Sequence, residues 1–205
     1  MYLFEAFKKT LETLTGAGRL PDEEVKECVH ERKPNEFVFE DDGRVPNNPT
    51  LPFIYYRTPV DLPSEGDPAA AFEQLFDENG WGDAWRNGIY DYVHYHSSTH
   101  EVLGIARGHA KVRFGGDKGR VFELRPGDVA ILPAGTGHQA LSASDDLLVV
   151  GAYPPQGKYD ECTGSAEQHA RALQSIPKVP LPANDPVFGA DGPLLQCWKE
   201  SKKRK

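Results

Sequence analysis

The stretch from Ile89 to Tyr153 constrains the fold most, because short β-branched or aromatic runs alternate there with turn-forming residues. The turns combine glycine, proline, serine and aspartate, at Gly115-Gly116-Asp117, Pro126-Gly127-Asp128 and Ser144-Asp145-Asp146. Such a series of short strands and tight turns is typical of an antiparallel sandwich or barrel. The sequence therefore predicts a mainly β fold for this part of the chain.

Segments of other character flank the β region on both sides. Apolar residues recur at helical spacing in Phe4 to Leu14, Asp67 to Glu78 and Ala166 to Gln174. Two more short strands are predicted before the β region, at Glu36 to Glu40 and Leu51 to Arg57. After the last helical segment, a proline-rich tail from Pro177 to Pro193 is expected to wrap the β structure.

Composition excludes several partners. Acidic residues outnumber basic ones, 31 to 23, and the net charge of −8 repels phosphate backbones, so nucleic acid is not expected as a partner. The N-terminal region has no uninterrupted apolar run, which argues against a signal peptide or membrane span. Three distant cysteines without CxxC spacing favour a reducing cytoplasm over a disulfide framework.

One histidine pair carries the chemistry. In a strand, residues i and i+2 project to the same face, so His94 and His96 on a predicted strand from Ile89 to His96 place two imidazoles in one space. A reversal after this strand brings the Glu101 carboxylate alongside, and His138 follows the rigid turn Pro133 to Gly137. His100 competes with Glu101 if the register slips by one residue, but strand parity turns it to the opposite face.

These residues form two ordered patterns. The first is Gly88, five residues, His94-Tyr95-His96, four residues, Glu101, six residues, Gly108; the second is Gly127, five residues, Pro133-Ala134-Gly135, two residues, His138. Together they resemble the two signature motifs of the cupin superfamily. Further segments are similar to the YjlB-like cupins: Trp85 to Tyr92, Gly151 to Pro155 and Gly189 to Leu194.

The resemblance implies a mainly β, double-stranded β-helix, the jelly-roll cupin barrel, with N-terminal and C-terminal helical additions. The expected division is one cupin domain over 1–205, with a helical arm at 1–46, the barrel at 47–155, and a helix and proline-rich tail at 156–205. It implies one divalent metal ion on His94, His96, Glu101 and His138, a small-molecule ligand, and a homodimer.

Four neighbouring residues are candidates for substrate chemistry. Tyr90 and Tyr92 share the strand face of His94 and are either proton-transfer groups or ordinary core residues. Arg107 shares the parity of Glu101 and either anchors an anionic substrate or meets a surface carboxylate. Ser142 stands where the family pattern has asparagine, and its parity with His138 suggests either ligand positioning or plain packing.

Three imidazoles and one carboxylate leave two positions open on an octahedral ion, which suits iron, manganese, nickel or cobalt, and zinc at lower coordination. Open positions admit substrate, so we expect a metal-dependent enzyme, dioxygenase-like or isomerase-like, acting on a small oxygen-containing molecule. The alternative is a non-catalytic cupin that binds a small molecule.

Overall fold

This computed structural model describes residues 25, 27–62 and 66–203. Nine β-strands and three α-helices lie within these described residues. The strands are β1 Asn35–Phe37, β2 Phe53–Tyr56, β3 Gly82–Asn87, β4 Glu101–Arg107, β5 Ala110–Phe114, β6 Arg120–Leu124, β7 Val129–Leu132, β8 His138–Ala143 and β9 Leu148–Tyr153. The helices are α1 Pro68–Glu78, α2 Ala166–Ser175 and α3 Pro193–Lys203, with a 3₁₀ turn at Ile176–Lys178.

The strands form two antiparallel sheets. One has six strands in the order β1-β2-β7-β4-β9-β3, and the other has three in the order β6-β5-β8. Alternate residues of both sheets turn toward each other and build one apolar cluster, which includes Phe53, Leu103, Val112, Phe114 and Phe122. The mainly β, double-stranded β-helix expectation is thereby confirmed, although the two sheets do not close into a complete barrel.

Helices α1 and α3 cover the outer face of the six-stranded sheet. Phe72 and Phe76 of α1 and Trp198 of α3 are fully buried against sheet residues such as Val102. Helix α1 lies close because β4 has a glycine beneath it: a Cβ at Gly104 would stand 2.6 Å from the Phe72 ring. None of the described helices has the length and apolarity to cross a membrane.

Asp67 fixes the start of α1 and ties it to the sheet. One carboxylate oxygen accepts a hydrogen bond from the Ala69 amide as the N-cap of the helix, and the other pairs with the Arg86 guanidinium of β3. Arg86 also forms a two-pronged ion pair with Glu73 on the same helix. The first turns of α1 are therefore anchored beside β3.

Sequence patterns predicted these elements unevenly. Helices α1 and α2 are confirmed, and the strands expected at 36–40 and 51–57 exist but are shorter. The strand expected over Ile89–His96 is wrong, because β3 ends at Asn87 and only His94 and Tyr95 form isolated bridges. Helix α3 was not predicted, and the helix expected over Phe4 to Leu14 lies outside the described residues.

We expect Trp198→Ala to lower the free energy of unfolding by about 3 to 5 kcal/mol, because it leaves a large cavity beneath α3. Trp198 is fully buried and also donates a hydrogen bond of 2.9 Å to the Pro52 carbonyl. Urea unfolding monitored by circular dichroism measures the change. The control is Leu173→Ala on α2, where a side chain 48% exposed should change stability by no more than about 0.5 kcal/mol. Equal losses in both variants would contradict this account of the core.

Candidate metal centre

Backbone pairing brings the two histidine segments together. The His94 amide donates to the His138 carbonyl at 3.2 Å, and the His138 amide donates back to the His94 carbonyl at 2.9 Å. On its other edge the first segment pairs through Tyr95 with Cys162, both bonds being 2.9 Å long. Because the segment is held extended on two sides, His94 and His96 keep the i, i+2 relation that places them on one face.

The three imidazoles converge in the interior. Ligand atoms of His94, His96 and His138 all lie within 4.8 Å of one another, and each side chain is buried. Glu101 begins β4 beside them, and its Oε2 lies 3.3 Å from His96 Nε2 and 3.4 Å from His138 Nε2. The structure thus brings together the four residues for which a metal-ligand role is predicted.

Each of these imidazoles meets a backbone carbonyl through Nδ1. His94 Nδ1 lies 3.4 Å from the Tyr92 oxygen and His138 Nδ1 lies 3.3 Å from the Thr136 oxygen, while His96 Nδ1 contacts the Asp160 oxygen. A carbonyl only accepts hydrogen bonds, so Nδ1 carries the proton and Nε2 of a neutral ring keeps its lone pair. This arrangement orients the imidazoles as metal-ligating histidines are oriented elsewhere.

The donor set fits a divalent ion. Two ligand atoms on one ion with bonds of about 2.1 Å stand about 3.0 to 3.4 Å apart at octahedral or tetrahedral angles, close to the spacing of Glu101 from its two imidazoles. Glu101 Oε2 is fully buried and faces the Nε2 atoms of His96 and His138, and no other donor among the described residues makes a hydrogen bond to it. A buried, ionised oxygen without a donor is costly unless a cation faces it.

Protonation in the absence of an ion follows from burial and proximity. Burial lowers the pKa of His94, and burial together with the nearby His94 lowers the pKa of His138 to about 3. Burial also opposes charge on the other two residues, but their mutual attraction exceeds it, raising the pKa of His96 to about 9 and lowering that of Glu101 to about 2. The metal-free centre at neutral pH therefore pairs a protonated His96 with an ionised Glu101.

The imidazoles lie at the base of a cavity of about 570 Å³. Its walls are mainly aromatic or aliphatic and include Trp85, Ile89, Tyr90, Leu103, Tyr153 and Tyr159. A cavity of this size accommodates a small organic molecule, and its apolar walls favour ligands with few polar groups.

Tyr153 lies in the cavity wall beside the metal centre. Its ring lies 5.9 Å from the His96 ring, and its hydroxyl accepts a 2.8 Å hydrogen bond from Trp85 Nε1. Burial and the nearby Glu101 carboxylate raise its pKa far above the ordinary range of tyrosine, so the hydroxyl keeps its proton. Gly151 makes room for this pair, because a Cβ there would stand 2.1 Å from the Trp85 ring.

A carboxylate joins two tyrosines at the cavity rim. Glu161 accepts one 3.0 Å hydrogen bond from the Tyr92 hydroxyl and another from the Tyr159 hydroxyl. The Tyr159 ring lies 5.0 Å from His96. The neighbouring Asp160 fixes this segment, because its carboxylate accepts hydrogen bonds from the amide and hydroxyl of Ser97, at 2.9 and 2.6 Å.

The candidate substrate residues occupy different places. Tyr90 lines the cavity, 43% exposed, and stacks on Tyr92 with ring centres 4.8 Å apart; Tyr92 belongs to the rim. Arg107 and Ser142 lie outside the cavity, which corrects the expectation that they face inward.

β-Bulges explain both misplaced residues. Pairing between β4 and β9 shifts register between Ile105 and Arg107, so Arg107 becomes exposed and its Nε donates to the Asp146 carbonyl at 3.2 Å. Pairing between β5 and β8 shifts at Leu141, which leaves Ser142 exposed. Strand parity counted from the sequence fails beyond a bulge, because the extra residue reverses the faces.

His100 faces away from the cavity, as its parity predicts. Its Nδ1 accepts a 2.9 Å hydrogen bond from the Ala134 amide, so its Nε2 carries the proton and meets the Pro180 carbonyl at 3.1 Å. The ring is fully buried beside Trp198, with ring centres 4.7 Å apart. Both ring nitrogens are committed to the backbone, which gives His100 a structural role.

Sequence reasoning missed Trp85, Tyr153, Tyr159 and Glu161. Tyr153 shares strand parity with Gly151 on β9, but only the pairing of β9 with β4 shows that this face is the one that carries Glu101. The residues at 159 and 161 follow the expected end of the barrel, and no local pattern indicates that this segment returns to the histidines.

Comparison with known proteins adds a relative over most of the chain. YjlB of Bacillus subtilis (strain 168), described as an uncharacterized protein, is 40% identical over 168 residues, which cover 82% of this chain and 98% of that protein. The chain belongs to the YjlB-like cupins. No family model matches this YjlB-like cupin.

Solved structures with partial similarity to this YjlB-like cupin include three double-stranded β-helix proteins. A mutant oxalate decarboxylase of Bacillus subtilis is 26% identical over 39% of this chain and 22% of its own, with a TM-score of 0.32. A cadmium-bound acireductone dioxygenase of Bacillus anthracis is 20% identical over 47% of this chain and 68% of its own, with a TM-score of 0.34. An uncharacterized double-stranded β-helix protein of Klebsiella pneumoniae is 15% identical over 73% of this chain and 94% of its own, with a TM-score of 0.34.

We expect metal binding at about pH 7 to release about one proton, because His96, with its pKa raised to about 9, must lose a proton before Nε2 can coordinate. The released fraction should fall as the pH rises through that value. Calorimetric titration of the metal-free protein in two buffers with different ionisation enthalpies measures the number of protons. Release of no proton near neutral pH, or a number that does not change up to about pH 10, would contradict this protonation state.

Proposed function

We propose that this YjlB-like cupin is a metal-dependent enzyme that acts on a small oxygen-containing molecule. One observation supports the proposal above the others: three imidazole nitrogens and the Glu101 carboxylate converge at the base of a cavity of about 570 Å³. A structural metal site is normally closed by protein on all sides, whereas this centre borders a space that a substrate can enter.

The residues proposed to hold the ion are His94, His96, His138 and Glu101. A divalent ion bound there supplies a Lewis acid that polarises a substrate oxygen and, if it is iron or manganese, a redox couple as well. The carbonyls behind the imidazoles hold Nδ1 and so leave Nε2 available to such an ion, and the carboxylate would neutralise part of its charge.

Residues of the cavity wall are proposed to bind the substrate and to supply a proton. Tyr153 holds a proton close to the centre, because burial and the nearby Glu101 carboxylate raise the pKa of its hydroxyl and keep it un-ionised. In this role it donates a hydrogen bond to a substrate oxygen beside the metal centre and moves a proton if the reaction requires one. Tyr90 and Tyr159 offer aromatic surface to a substrate in the cavity, and Tyr159 is oriented by its hydrogen bond to Glu161.

Metal content tests the centre. Protein purified without a metal-affinity tag should contain about one divalent ion per chain by elemental analysis, and His96→Ala and His138→Ala should lose it, since each removes one of four ligands. The matched control is His109→Ala, a histidine outside the cavity that should leave the metal content unchanged. Absence of metal in the parent protein, or its retention in both ligand variants, would overturn the proposed site.

Catalysis is tested separately from binding. The protein loaded with iron, manganese, nickel, cobalt or zinc is incubated with catechols, diketones and hydroxyketones, while oxygen uptake and product formation by NMR are measured. Oxygen uptake would identify a dioxygenase-like reaction, and rearranged product without uptake an isomerase-like one. We expect Tyr153→Phe to lower kcat by about 10²-fold or more with little change in metal content, because it removes the proposed proton donor. Ligand binding without turnover under any metal would instead identify a non-catalytic cupin.

A further inference from the structure

The charges on the cavity wall restrict what the cavity can hold. Among the described residues that line it, Arg86 is the only lysine or arginine. A substrate carboxylate, phosphate or sulfonate away from the metal centre would therefore depend on this one guanidinium for a positive partner.

Arg86 is already fully engaged with α1. Its Nε and one terminal nitrogen donate to the two oxygens of Glu73 at 2.9 and 2.8 Å, and its other terminal nitrogen donates to Asp67. The arginine and Glu73 side chains are only 26% and 19% exposed, and the bidentate geometry fixes the plane of the guanidinium. Two carboxylates thus surround one cation, and no positive charge is left over for a ligand.

The other ionisable groups near the rim are mostly acidic. Asp83 lines the cavity, and Glu161 stands between the two rim tyrosines. Lys158 lies next to Tyr159 in sequence but is exposed and does not line the cavity. An anionic group held against this wall would lose its hydration without gaining a cationic partner.

The surfaces that remain suit an uncharged ligand body. Trp85, Tyr90, Tyr153 and Tyr159 line the cavity with aromatic surface, and Leu103 adds an aliphatic surface. Aromatic rings pack well on planar or apolar groups, and the tyrosine hydroxyls can bond neutral oxygens.

We propose that the substrate of this cupin is a small molecule with an uncharged, aromatic or otherwise apolar body, whose one anionic group is the group that reaches the metal centre. This assignment rests on the proposed function, because it presumes an ion with an open side at the base of the cavity. It excludes phosphorylated metabolites and polycarboxylates as substrates.

Two ligands with one chelating head and different bodies test the proposal. Cobalt(II)-loaded protein is titrated without oxygen with 4-methylcatechol and with 3,4-dihydroxybenzoate, and the visible bands of the cobalt ion report ligand binding at the centre. After division by the affinities of the two ligands for free cobalt(II), 4-methylcatechol should bind about tenfold tighter or more, since its body brings no buried charge. Equal corrected affinities, or tighter binding of 3,4-dihydroxybenzoate, would overturn the inference.

Variants on α1 show whether Arg86 is the cause. In Glu73→Gln the group of Arg86, Asp67 and residue 73 changes from a net charge of about −1 to 0, which removes repulsion of an anionic ligand body and leaves the guanidinium only one carboxylate partner. The preference for 4-methylcatechol should therefore shrink by about threefold or more. Asp77→Asn removes the same charge from an exposed position on the same helix and should leave the preference unchanged. An unchanged preference in Glu73→Gln, with metal content and melting temperature preserved, would overturn the assigned role of Arg86 and with it the inference.

The possible failures are distinguishable. If neither catechol perturbs the cobalt bands, the ion has no open side and the proposed function fails together with the inference. If both perturb them with equal corrected affinity, the open metal centre stands and the substrate class alone is overturned. If 3,4-dihydroxybenzoate binds tightly and Lys158→Gln abolishes that binding, Lys158 supplies the cation and the substrate class is likewise overturned.

Discussion

The reciprocal backbone pairing of His94 with His138 is the interaction on which the centre depends. It joins a segment that precedes β4 to the first residue of β8, so the two imidazoles come from different parts of the chain but share one frame. The Tyr95–Cys162 pairing holds the same segment from its other edge and brings the rim residues Tyr159 and Glu161 toward the histidines. Ligand geometry is thereby set by backbone hydrogen bonds, which side-chain substitutions at the rim leave in place.

Strand parity predicts the positions of site residues only where the strands are regular. Parity correctly places Glu101 inward and His100 outward, because β4 is regular over its first residues. It fails for Arg107 and Ser142, since each follows a β-bulge that nothing in the local sequence marks. The i, i+2 relation of the histidines survives although their segment is no regular strand, because bridges on two sides keep it extended.

Features that depend on contacts between distant segments could not be predicted. The motif pattern indicated the double-stranded β-helix, and periodicity indicated α1 and α2, but neither indicates which aromatic residues surround the imidazoles. Tyr153 joins the centre only through the pairing of β9 with β4, and Trp85 through the space above Gly151. The Arg86 ion pairs likewise require α1 to lie beside β3, a tertiary arrangement that composition does not reveal.

The distribution of charge around the cavity depends on the Arg86 ion pairs and on the metal centre. The buried Glu101 carboxylate requires a positive partner, which is the His96 proton in the metal-free protein and the ion once metal binds. Arg86 cannot substitute for either, because Glu73 and Asp67 already neutralise it. Among the described residues that line the cavity, no cation is left uncompensated, so the positive charge that a bound molecule could meet is the one that an ion held by the four residues would supply. With such an ion in place, a ligand of the proposed class would be oriented by that asymmetry before any specific contact forms, with its negative group inward and its apolar body toward the tyrosines.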